Sequence, residues 1–76
     1  MSDLDKKEVL RHFSREFLDG EVKRVESAKQ GEKLFEMDSW ESPMLINYVL
    51  ESAKIGFHVE SSDGTIQYIK GVPSEN

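Results

Sequence analysis

The chain has no cysteine among its 76 residues. That absence removes disulfides, thiolate metal sites and thiol nucleophiles together, and it suits a reducing compartment. Long apolar runs are also missing, and no basic start leads into an apolar core. A membrane span and a secretory signal are therefore not expected. Together with the plain Met-Ser-Asp start, this predicts a cytoplasmic protein. Positive charge is in short supply: 10 Lys and Arg face 15 Asp and Glu, a net charge of −5. The bases alternate with acids, as in "KKEVLRHFSREF" and "EVKRVESAKQGEK". Such mixing marks a solvated helix face, whereas a nucleic-acid groove gathers Lys and Arg on one side. Direct nucleic-acid binding is not expected. The five glycines are scattered at element ends and form no phosphate-cradling loop.

What remains is one small domain, residues 1 to 76. A chain this short buries only about 60% of its unfolded surface, so its stability is marginal. In residues 3 to 18, Val9, Leu10, Phe13, Phe17 and Leu18 recur at helical spacing. Asp3 or Asp5 is a candidate cap for the start. Val22 and Val25 prolong the stripe, which predicts helix over 3–30 with a bend at Gly20 and a stop at Gly31. A hairpin strand over residues 21–30 is the rival reading. Residues 32–38, "EKLFEMD", read as a strand with Phe35 and Met37 on one face and Leu34 on the other. Ser42 is a candidate N-cap and Pro43 suits the first helical position. A helix over 43–55 follows, stopped by Gly56. In 57–70, two alternating runs flank Asp63-Gly64, the signature of a two-residue hairpin turn that needs positive φ twice. That register sets Tyr68 opposite Val59. Residues 71–76 read as a polar, frayed tail.

These elements predict an α+β fold. Two or three helices pack on one face of a three- or four-stranded sheet, a small two-layer sandwich with a C-terminal β-hairpin.

Residues 29 to 71, with "QGEKLFEMDSWESPMLINYVLESAKIGFHVESSDGTIQYIKG", resemble the second half of SirA/TusA-like sulfur-carrier proteins. Gly31-Glu32 before a strand, an acidic turn into a helix, and Gly56-Phe57 opening a hairpin that closes on Tyr68-Ile69-Lys70 carry the likeness. Leu4-Asp5 matches a pair with which the family often begins. The resemblance implies a small cytosolic domain of order β-α-β-α-β-β. It also implies a persulfide-carrying cysteine in a Cys-Pro-x-Pro motif at the start of the first helix. The corresponding region here reads "RHFSREF", without cysteine or proline. Ser14 lies nearby, but a hydroxyl forms no persulfide, so no site residue carries over.

Catalysis is not expected. Ser14 and His12 point to different sides of a helix, and a nucleophile needs an orienting base and an oxyanion pocket. His12, with Glu8 and Glu16 four residues either side, reads as part of a surface charge ladder. His58 reads as a solvated strand residue. Neither has the convergent partners of a metal site, and no cofactor is expected.

The richest apolar stretch is "SPMLINYVLESAKIGF", residues 42 to 57. Leu45, Ile46, Val49, Leu50 and Ala53 form one broad core stripe. Met44, Tyr48 and Ile55 fall on a second side, which Trp40, just before the helix, is placed to cover. Either the rest of the fold covers this second patch, or it is a protein interface of the composition enriched at contact centres. The expected function is thus a small acidic, non-catalytic protein-interaction or regulatory module, with Trp40, Met44, Tyr48 and Ile55 as candidate interface. Its partner would be another protein, basic by charge complementarity, or a second copy in a homodimer. The alternatives are a cysteine-free relative of sulfur carriers acting as a structural or regulatory partner, and an acidic DNA-mimic inhibitor.

Overall fold

A computed structural model describes residues 3–72 of the chain, with side chains described from Lys6 onward. The side chains of Asp3 and Asp5, suggested as caps, and the tail from residue 73 lie outside what is described. The element order is α1 (Asp3–His12), α2 (Arg15–Ser27), β1 (Lys33–Asp38), α3 (Met44–Ala53), β2 (Phe57–Ser62) and β3 (Thr65–Lys70). The strands form a three-stranded sheet of order β1-β3-β2. β3 is antiparallel to both neighbours, and the helices pack on the sheet, as the sequence predicts.

The N-terminal helix does not bend at Gly20. It breaks at Phe13-Ser14 instead, and α2 runs unbroken through Gly20. The cause is local: Ser14 is extended and its Oγ accepts the Phe17 N–H at 3.1 Å, which makes it the N-cap of a second helix. α2 also stops short of Gly31, with Ala28 already extended. Its end is closed from a distance. The Lys70 ammonium, on β3, donates to the carbonyls of Val25, Glu26 and Ala28 at 3.2, 2.8 and 2.7 Å. A cation there meets both the unpaired carbonyls and the negative end of the helix dipole.

In β1, Leu34 does not lie opposite Met37. The register shifts between Lys33 and Phe35, so two residues of β1 occupy one step of β3. Such a bulge turns consecutive side chains towards the same face. Leu34 and Met37 both reach the core. Phe35 joins them beneath the Arg24 guanidinium, 4.9 Å from the ring centre. Val25 of α2, Ile46, Val49, Leu50 and Ala53 of α3, and Tyr68 of β3 complete this core.

α3 starts at Met44, with Pro43 in the capping position and Ser42 Oγ 3.4 Å from the Met44 N–H. It ends at Ala53, before Gly56, because Lys54 takes the left-handed conformation (φ 55°). The hairpin follows the sequence reading: Asp63 and Gly64 have φ of 52° and 78°, and Val59 pairs with Tyr68. No helix among the described residues is long and apolar enough to cross a membrane.

Candidate functional site

The sequence groups Trp40, Met44, Tyr48 and Ile55, and the fold separates them. Tyr48 and Ile55 are half-buried against the core. Their apolar surface is largely used within the fold. Met44 is half-buried at the start of α3. Trp40 does not cover these residues, since 80% of its own surface meets solvent.

The reason lies in the connection between β1 and α3. Glu41 N–H donates to the Asp38 carbonyl at 3.0 Å, closing a tight turn over Ser39 and Trp40. Glu41 Oε2 accepts the Asp38 N–H at 3.2 Å, which clamps the same turn a second time. Ser39 N–H donates to the Gly64 carbonyl at 2.7 Å, tying this turn to the tip of the hairpin. Trp40 therefore sits at the crest of a pinned turn and projects outward. The surroundings are acidic. A shallow notch of about 270 Å³ is lined by Glu36, Met37, Asp38, Glu41 and Thr65, so both ends of the Trp40 turn contribute carboxylates to it. Glu36 is already engaged by Lys33 and Gln67, whereas an exposed aromatic side chain on a turn bounded by Asp38 and Glu41 can hold an Arg or Lys side chain by cation–π attraction and ion pairing together.

Among the described residues, two titratable groups depart from their ordinary behaviour. His58 lies on the sheet face opposite Phe57 and Val59, but it is not simply solvated, with only 17% of its side chain exposed. Its Nδ1 is 2.9 Å from the Gly71 carbonyl and its Nε2 is 3.0 Å from Glu60 Oε2. Both partners are acceptors, so both bonds exist together only on the imidazolium. The Gly71 carbonyl, then Glu60, raise its pKa above the ordinary value. Glu8 shifts downward, first because of its hydrogen bond with His12 at 2.9 Å and then through the Arg11 charge. His12 thus belongs to an exposed pair on α1. Among the described residues, no group of three or more His, Asp or Glu side chains is placed to hold a metal ion.

Other apolar surface emerges on α2 and β2, outside the set grouped from the sequence. Phe17 is 46% exposed, stacked on Phe13 with ring centres 5.6 Å apart. Phe57 and Val59, on β2, are 39% and 50% exposed. Alternation alone puts both on the core side of the hairpin. What leaves them open is strand order: β2 is an outer strand, and order is decided by the crossover through α3.

Comparison of the chain with family models, curated proteins and solved structures yields no match. Residues 33–70 have the element order β-α-β-β that the sulfur-carrier resemblance implies for its second half. Where the resemblance implies a first strand, Asp3–His12 is helical.

Proposed function

We propose that this protein is a small acidic, non-catalytic interaction module that binds a basic segment of another protein through the Trp40 turn. The observation that carries the reading is Trp40 itself, four-fifths exposed on a turn fixed by hydrogen bonds at both ends. An aromatic side chain this large contributes most to binding when a partner buries it. A rigid turn also loses little conformational freedom on binding. The carboxylates of Glu36, Asp38 and Glu41 and the net charge of −5 bias the partner towards positive charge. Met44 is the member of the original candidate set nearest in sequence to this turn, while Tyr48 and Ile55 serve mainly the core.

The test compares immobilised wild-type protein with Trp40→Ala and Glu41→Gln. Gln keeps an oxygen acceptor for the Asp38 N–H, so the second variant removes charge and spares the turn. A protein retained by wild type should be lost from Trp40→Ala and weakened in Glu41→Gln, with both variants unfolding at the wild-type temperature. Equal retention by all three would refute the Trp40 turn as the contact.

A further inference from the structure

We propose that the outer edge of β2, unpaired among the described residues, is a self-association surface, at which two copies of this chain pair antiparallel about Val59 and join their sheets in the order β1-β3-β2-β2-β3-β1. This surface is separate from the Trp40 turn.

The two edges of the sheet differ. β1 is bulged between Lys33 and Phe35 and carries Lys33, Glu36 and Asp38, the devices that discourage strand addition. β2, "FHVESS", pairs with β3 in unbroken register and contains neither lysine nor proline. Its backbone parity follows from the hydrogen bonds to β3. Gly71 N–H donates to the Gly56 carbonyl, so Gly56, and with it His58, Glu60 and Ser62, turn their backbone groups towards β3. Phe57, Val59 and Ser61 therefore direct their N–H and C=O groups outward. The same residues include the two exposed apolar side chains of the strand, Phe57 and Val59.

Side chains then choose the register. Antiparallel pairing about a two-fold through Val59 sets Val59 against its symmetry mate and Phe57 against Ser61 of the other copy. Each facing pair exchanges both backbone bonds. On the opposite sheet face, His58 meets Glu60 of the other copy, a donor against a carboxylate, in both directions. A two-fold through Glu60 would set carboxylate against carboxylate, and one through His58 would set ring against ring. Like groups directly opposite are unfavourable and opposite ones favourable, so Val59 is the centre that charge selects. Centres between residues would set outward-facing backbone against inward-facing backbone. A strand contact of this size falls below the roughly 1,600 Å² of standard interfaces, so the dimer should be weak and concentration-dependent.

Sedimentation of the intact chain tests this. Between about 1 μM and about 1 mM, the range of transient complexes, the mass should rise from monomer towards dimer. Val59→Lys places like charges on the two-fold at a half-exposed site and should remain folded and monomeric throughout. The cysteine-free sequence permits a register test. Directly opposed, hydrogen-bonded residues lie about 5.5 Å apart between Cα atoms, within disulfide reach. Val59→Cys should therefore cross-link under mild oxidation at least tenfold faster than Ser62→Cys, which would face Gly56 of the other copy. A wild-type chain monomeric at about 1 mM, a Val59→Lys variant that still dimerises, or equal cross-linking of the two cysteines would each overturn the proposal. Trp40→Ala should dimerise as wild type does, so the two readings fail separately.

Discussion

His58 holds two acceptors at once, the Gly71 carbonyl and the Glu60 carboxylate, and only the protonated ring can donate to both. Its raised pKa fixes the sign of the pH effect. The folded state binds the proton more tightly than the unfolded chain, so the stabilisation is fully present below the unfolded value of about 6.5. It is lost as pH rises through the folded value. Urea midpoints measured from about pH 6 to about pH 8.5 should fall for wild type and stay flatter for His58→Gln. If the two proteins keep the same slope, another group titrates in that window. From the sequence, His58 reads as a solvated strand residue, because alternation gives its face but not the return of Gly71 beside it. Gly71 is able to make that return because it holds a φ of 95°, a conformation that residues with a side chain rarely adopt. Trp40 was legible as a candidate from residue type. Its exposure was not, since it depends on Ser39 bonding to the distant Gly64 carbonyl. Tyr48 and Ile55 were legible as a second side of α3, and a helical wheel does not say how far core packing extends round the helix.

At the scale of elements, Lys70 ties β3 to the end of α2. It lies opposite Phe57 on the helix-facing side of the sheet, and its ammonium closes the end of α2 through the carbonyls of Val25, Glu26 and Ala28. Lys70→Met keeps the aliphatic stem and removes every one of these bonds. Charge-assisted hydrogen bonds contribute about 1.5–3 kcal/mol, so the variant should lose about 2 kcal/mol. For a domain of this size that lowers the Tm by roughly 10 °C. Thermal unfolding followed by circular dichroism checks it, and a change within about 2 °C would mean that water caps the helix as well as lysine does. The elements themselves were largely readable. Asp63-Gly64 announced the hairpin, and the apolar spacing of Ile46, Val49, Leu50 and Ala53 announced α3. Three local events were hidden. Ser14 ends one helix by capping the next, Leu34 enters the core through a bulge, and Lys54 adopts a conformation usually left to glycine. Apolar periodicity encodes none of these: the first and last are local hydrogen-bond and backbone choices, and the bulge is set by pairing with β3.

For the whole molecule, the net charge of −5 and the carboxylates around the Trp40 turn act on anything that approaches it. Trp40 is the sole tryptophan, so its fluorescence reports the local potential without labelling. A potential of about one kT enriches a monovalent cation about threefold and depletes an anion as strongly. Caesium should therefore quench Trp40 more efficiently, and iodide less efficiently, than each quenches a neutral tryptophan amide in the same buffer. The contrast should shrink as salt is raised, because the Debye length falls from about 30 Å at 0.01 M to about 3 Å at 1 M. Neutralising the rim separates local from global charge. Glu36→Gln with Glu41→Gln removes two charges beside the turn and should bring both quenchers most of the way to the reference. The same two charges removed at Glu16 and Glu26, exposed on α2, should have much less effect. If iodide quenches as well as caesium at low salt, the surroundings of Trp40 are not negative enough to select a basic partner. The exposed tryptophan would then have to recognise an apolar one.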